Sequence, residues 1–274
     1  MTELTARAVD GVRITARDEG RGPSLLIVPP GGTDAASWDA VARELDGFRA
    51  VRLQRRIYAS GAPVVLPHRM STEASDIQVI ATQLAPPIIG VGHSSGAVAL
   101  LESARLHSAS FAGLILYEPP LPTTELVAGA AGVKARARID AGDPVEAMRI
   151  HLRDIVGMPA PIVDMILTAP DARDQFVKHA AAQVADDEAI DALGLGIDRY
   201  RSLTMPVVLI EGSESPGHVR ERSSDLASVL PMVLRKVTLA NQGHVAHLTA
   251  PGMLGCVIRE AALEIRGSMR GRVG

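Results

Sequence analysis

The sequence predicts an α/β fold in which a mainly parallel β-sheet is flanked by helices and interrupted by one helical insertion. Three observations carry that prediction. Short continuous aliphatic runs such as Leu25-Leu26-Ile27-Val28 read as strands buried on both faces. These runs alternate with segments of helical period, the pattern of a parallel sheet covered by helices. Between Pro120 and Met205 the alternation stops and only helical patterns remain. Of the 274 residues 47% are hydrophobic but only 3% aromatic. The core is therefore aliphatic, and the chain is long enough to bury a sizeable one.

Leu4 to Val9 and Val12 to Arg17 alternate apolar and polar residues around Asp10-Gly11, so the chain begins with an antiparallel hairpin. After the Gly-rich turn at Gly20 to Pro23, Leu25 to Val28 starts the parallel part. Further strands are predicted at Val51-Arg52-Leu53, Ile88 to Val91, Gly113 to Tyr117, Val207 to Ile210 and Arg235 to Leu239. Helices are predicted at Ser37 to Leu45, Ser71 to Leu84, Ser95 to Leu106 and Pro251 to Arg266. Inside the insertion, Pro144 to Ile155 and Ala160 to Leu167 have helical period, with Pro, Gly and Asp between them. Lys134-Ala135-Arg136-Ala137-Arg138 reads as a solvated helix face rather than an anion site.

Charge narrows the partners. With 28 Lys+Arg against 31 Asp+Glu, the net charge of -3 favours neither nucleic acid nor an anionic membrane. A small-molecule substrate is expected, and a homodimer stays open. The single cysteine, Cys256, cannot form an intrachain disulfide and is expected as a small buried hydrophobe. Met1-Thr2-Glu3-Leu4-Thr5 lacks the basic start and apolar run of a signal peptide, and no apolar run is long enough to span a bilayer. A soluble, cytoplasmic protein is expected.

The informative segment is Gly92-His93-Ser94-Ser95-Gly96, a G-x-S-x-G string between an apolar strand and a helix. A serine on so sharp a turn brings strand and helix close, leaving little room for a Cβ two residues before or after it. The hydroxyl needs a base. Of eight histidines, His107, His151 and His179 lie on helical segments with surface or capping roles expected, and His93 should point away from its neighbour's hydroxyl. His244 sits in a late loop, Asn241-Gln242-Gly243-His244, after a strand, with serine before histidine in chain order. His247 reads as a supporting or packing residue.

Leu25 to Gly32, Gly92 to Gly96, Tyr117-Glu118-Pro119-Pro120, Val207 to Pro216 and Gly243 to Leu248 together resemble the α/β-hydrolase superfamily, in its helical-cap, serine hydrolase branch. The likeness covers nearly the whole chain. It implies a core of residues 1–120 and 204–274 carrying a cap at 121–203. It also implies Ser94 as nucleophile, His244 as base, and an oxyanion hole built from the backbone N–H groups of Ser95 and Gly32. Pro30 stands where the family usually has histidine and has no N–H to give. The family's usual acid position after the seventh strand holds Ser215 in Gly212-Ser213-Glu214-Ser215-Pro216, so the acid is sought elsewhere. Glu118, at the end of the sixth strand, is favoured over a shifted Glu214, and an arrangement without a carboxylate partner stays open.

Gln54-Arg55-Arg56-Ile57-Tyr58-Ala59-Ser60-Gly61 keeps the arginine pair and the Ser-Gly end of a family loop but loses its inner glycines, placing Ile57 and Tyr58 at the pocket. Trp38 and Tyr58 are the aromatic residues nearest in sequence to pocket-forming loops, which points to shape-selected aliphatic or mixed substrates. No His, Cys, Asp or Glu cluster has metal-ligand spacing, and no dinucleotide or Walker string appears in context, so no metal or cofactor is expected. The resemblance implies a serine hydrolase acting on an ester, lactone or thioester through an acyl-enzyme. The alternatives are a cofactor-free C–C hydrolase, lyase or cyclase in a biosynthetic pathway using the same site, or a non-catalytic small-molecule receptor on the same scaffold.

Overall fold

A computed structural model describes residues 1–60, 64–169, 173–174 and 177–270. It contains one eight-stranded sheet in the order β1-β2-β4-β3-β5-β6-β7-β8. The strands are β1 Thr2–Arg7, β2 Arg13–Gly20, β3 Ser24–Val28, β4 Arg49–Gln54, β5 Ile88–His93, β6 Gly113–Tyr117, β7 Val207–Gly212 and β8 Val233–Leu239. β1 and β2 pair antiparallel, as does β2 with β4, and all later neighbours pair parallel. The first hairpin is looser than the Asp10-Gly11 signal suggests. Its last paired residues are Arg7 and Arg13, and the Asp10 carboxylate accepts from the Val12 N–H, closing a wider loop.

Strand alternation sorts the aliphatic runs onto two faces. Leu26, Val28, Leu114, Leu116 and Leu209 pack with Ile77, Leu100 and Leu101 from α2 Met70–Ala81 and α3 Ser95–Leu106. Leu25, Ile27, Val91, Ile115 and Ile210 pack on the other side with Trp38 and with Leu254, Ile258 and Ile265 of the C-terminal helix, Pro251–Arg270. Both faces are covered, which is why the strands read as unbroken apolar runs.

Two expectations shift here. The helix expected over Ser37 to Leu45 is a 3-10 turn, Ala35–Trp38, followed by the short α1, Asp39–Ala42. Asp34 caps its start by accepting from the Ala36 N–H. Cys256 is exposed, not buried. It lies two residues, about 200° of helical turn, from Leu254, whose face holds the buried stripe.

Between β6 and β7 the described residues contain no strand. They form α4 Gly129–Asp140, α5 Pro144–Ile150, α6 Ala160–Thr168 and α7 Ala180–Asp191, and α5 runs on into a π-helical turn, His151–Ile155. These helices have small cores of their own, one around Met148, Leu152, Val163 and Leu167 and another around Ala135, Ala147 and Val184. Asp191 caps α4, accepting from the Val127 and Gly129 N–H groups. In the Lys134 to Arg138 run, Arg136 is paired with Glu188. The insertion is tied to the rest of the fold at several points: Ala189 and Ile190 enter the main core, and Arg222 of α8 Gly217–Val229 donates to the carbonyls of Leu121 and Leu126. The remaining helices are α9 Ala246–Thr249 and α10 Pro251–Arg270. No helix among the described residues is long and apolar enough to cross a membrane.

Candidate active site

The parallel strands all end on one edge, where an open α/β sheet gathers its loops. Ser94 follows β5 there, Glu118 follows β6, His244 lies in the loop after β8, and the Pro29 to Thr33 turn follows β3. Ser94 has φ 53 and ψ -130, a strained backbone that lifts its side chain above the strand. The flanking glycines are sterically required. A Cβ on Gly92 would lie 2.5 Å from Ala97 Cα, and one on Gly96 would collide with the carbonyls of Pro29 and Val28.

Ser94 Oγ lies 2.9 Å from His244 Nε2, and His244 Nδ1 lies 2.5 Å from Glu118 Oε2. With Nδ1 donating to the carboxylate, Nε2 is left as the acceptor for the serine hydroxyl. The other Glu118 oxygen, Oε1, accepts from the Gly212 N–H at 2.7 Å. Glu118 is fully buried, whereas Ser94 and His244 are half-buried and reachable. Glu214 is exposed, and its N–H donates to the Gln242 carbonyl. The carboxylate beside His244 is therefore that of Glu118.

The histidine loop is held from below. Tyr117 donates to the Gly243 carbonyl, and His93 Nε2 donates to the His244 carbonyl at 2.8 Å while its ring stacks on Tyr117. His93 thus faces away from the Ser94 hydroxyl. His247 stacks on Trp38. Burial, with neighbouring His244 adding to it, pushes His247 down to about 3; burial and its histidine neighbours push His93 well below 6.5. Both stay neutral and support His244 without competing for its proton. Trp38 is buried in the core beneath the site, so it packs under the histidines instead of lining a pocket.

Ser95 opens α3, so its N–H has no acceptor within the helix. Gly32 takes φ +68, a left-handed turn that suits glycine. Ser95 Oγ accepts from Arg55 Nη1 at 2.8 Å. Arg55 is 2% exposed and also donates to Glu73 Oε2 at 3.0 Å and to Asp186 Oδ1 at 2.7 Å. Tyr58, beneath the guanidinium, donates to Asp186 Oδ2 at 2.8 Å. Burial opposes the charge on Glu73, but Arg55 and His68 outweigh it and hold the carboxyl down at about 2. Burial and Asp186 push the Tyr58 hydroxyl well up, so it remains a donor. His68, Glu73 and Asp186 form the one group of possible metal ligands among the described residues. Arg55 already sits between its two carboxylates.

This polar cluster was missed in the sequence, where Arg55 showed only as half of an arginine pair. Its partners come from α2, α3 and α7. His151 and His179 also depart from expectation, since both are buried: His151 Nδ1 lies 2.7 Å from Asp187 Oδ2, and His179 packs edge-on to Tyr58. Their burial comes from contacts with residues distant in the chain, which helical period does not reveal. Gly61, the last residue of the Arg55 loop, lies outside the described residues.

No curated protein matches the sequence. Among solved structures, the chain is similar to an alpha/beta hydrolase from Sphaerobacter thermophilus, 23% identical over 94% of this chain and 99% of that one, with a TM-score of 0.80. It is also similar to an esterase from Thermogutta terrifontis, 22% identical over 97% and 99% with a TM-score of 0.70. A third is an esterase from Rhodococcus sp. ECU1013, 16% identical over 95% and 98% with a TM-score of 0.70. At these identities the likeness speaks for the fold. Residues 25–254 match the model of the alpha/beta hydrolase family, and the chain belongs to that family.

Proposed function

We propose that this protein is a serine hydrolase that cleaves an ester, lactone or thioester of a small organic substrate through an acyl-enzyme. The observation that carries the reading is the unbroken contact from Ser94 Oγ through His244 to the buried Glu118 carboxylate. In this reading His244 Nε2 takes the hydroxyl proton as Ser94 Oγ bonds to the substrate carbonyl carbon. The tetrahedral oxygen is held by the N–H groups of Ser95 and Gly32, each such donor being worth about 3 kcal/mol in the transition state. The C–O or C–S bond to the leaving group breaks as His244 returns the proton to it. Water, deprotonated by the same imidazole, then releases the acid and regenerates Ser94.

Glu118 holds the imidazole in the required tautomer and stabilises its cation. Residues 121–203 serve as a cap over this edge, and the esterase neighbours support the ester class. The test is turnover of aryl esters of increasing acyl length by wild type and Ser94→Ala. Hydrolysis lost in the variant is expected. Turnover that survives Ser94→Ala would overturn the mechanism, and a protein that acylates Ser94 slowly yet hydrolyses no ester would move the reading to C–C hydrolase, lyase or cyclase chemistry.

A further inference from the structure

One buried network touches both residues read as oxyanion donors. On one side Arg55 Nη1 pins Ser95 Oγ. On the other, Gln183 and Tyr58 press against the turn that carries Gly32: a Cβ on Gly31 would collide with Gln183 Oε1 and lie 2.9 Å from Tyr58 Oη. Tyr58 and Arg55 share Asp186, and Gln183 donates to Asp187 one turn along α7. The oxyanion region is thus backed by a helix of the insertion.

Stability does not explain such a cluster, because apolar residues of similar volume usually fill a core at least as well as a buried ion trio. Catalysis does. In the proposed mechanism charge develops on the substrate oxygen at the Ser95 N–H, and Ser95 is joined through one guanidinium to the fully buried carboxylates of Glu73 and Asp186. Unbalanced, those carboxylates would repel that charge. A guanidinium remains charged at any working pH and has a rigid fork that can hold both carboxylates and Ser95 together. Because Ser95 N and Oγ belong to one residue, holding the hydroxyl restrains the residue that carries the N–H.

We propose that Arg55 is a positioning residue for the oxyanion hole, linking Asp186 of the inserted helix α7 to Ser95 and offsetting part of the negative charge of the carboxylates behind it. The inference rests on the serine hydrolase reading. It makes the insertion part of the catalytic geometry as well as a cover.

The experiment compares wild type with Ser95→Ala, Arg55→Lys, Asp186→Asn and the conservative Ser95→Thr. Arg136→Ala on α4, which breaks the exposed Arg136–Glu188 pair between α4 and α7, is the control. Each is assayed with an aryl acetate and with an aryl trifluoromethyl ketone, whose adduct on a serine places an oxyanion in the hole. Ser95→Ala removes a single oxygen and leaves the backbone N–H, so it keeps the test usable if Arg55→Lys fails to fold. Ser95→Ala, Arg55→Lys and Asp186→Asn are expected to lower kcat by about ten- to a hundredfold, with KM within about threefold, and to weaken the ketone by the same factor. Ser95→Thr recovers most of both, and Arg136→Ala changes neither. Folded Ser95→Ala with kcat and ketone affinity within twofold of wild type overturns the proposal, as does a lower melting temperature without a change in ketone affinity. Wild type that binds no ketone and hydrolyses no ester instead overturns the serine hydrolase reading, and this inference with it.

Discussion

Replacing Glu118 by Gln isolates what the buried carboxylate does. Glutamine has nearly the same shape, and its amide oxygen can keep the 2.7 Å bond from the Gly212 N–H. The amide NH2 is then left facing His244 Nδ1, which lies 2.5 Å from the carboxylate oxygen it replaces. Two donors cannot face each other, so the imidazole takes the other tautomer, with Nδ1 accepting and the proton on Nε2. That proton points at Ser94 Oγ, 2.9 Å away, and the hydroxyl loses its base. In serine proteases the equivalent change lowers kcat by about 10⁴, which corresponds to about 5.5 kcal/mol of transition-state stabilisation. Folding loses less, about 1–3 kcal/mol, for one charge-assisted hydrogen bond weakened in a buried site. The assay is kcat for an aryl acetate at pH 7–8 alongside the melting temperature. A folded Glu118→Gln variant with kcat within tenfold of wild type would refute the reasoning.

Three further predictions follow from other parts of the structure. Ser94→Gly relieves the backbone strain at φ 53 and ψ -130 and should raise stability by about 1 kcal/mol while abolishing turnover; a lower melting temperature would contradict the strain. His247 is held neutral down to about 3, so between that value and the ordinary 6.5 the unfolded chain binds a proton that the folded chain excludes. Stability should therefore fall as the pH falls through this window, by up to about 1.4 kcal/mol per pH unit, and His247→Leu should flatten that slope in urea titrations. Exposed Cys256 should react with one equivalent of Ellman's reagent in the native protein without changing turnover of an aryl acetate; reaction only after unfolding would place it in the core.

The central strands could be read from sequence because each is buried on both faces and so carries an unbroken aliphatic run; Gly113 to Tyr117 begins and ends where the pattern does. The Ser94 turn was readable for a related reason: Gly92 is demanded by sterics that act within five residues, against Ala97, while Gly96 answers to the end of β3, whose Val28 and Pro29 carbonyls a Cβ there would strike. Glu118 stood out as a carboxylate in an apolar setting, at the end of a strand and before two prolines. What could not be read are contacts made across the fold. The bond from Arg55 to Asp186 spans 131 positions, and no spacing rule reaches that far. His151 and His179 are buried for the same kind of reason, by contacts made when α7 packs on the molecule. Cys256 shows a different failure: the apolar stripe of its helix is real, but two residues of helical phase carry Cys256 from the buried face at Leu254 to the exposed one.

The most direct test of the account is stoichiometric labelling by a fluorophosphonate, mapped by peptide mass spectrometry. One equivalent on Ser94 is predicted, with labelling slowed at least a thousandfold in a folded His244→Ala variant, because the hydroxyl at 2.9 Å then has no base. Folded wild type that takes no label, or takes it on a residue other than Ser94, would contradict the assignment of the nucleophile.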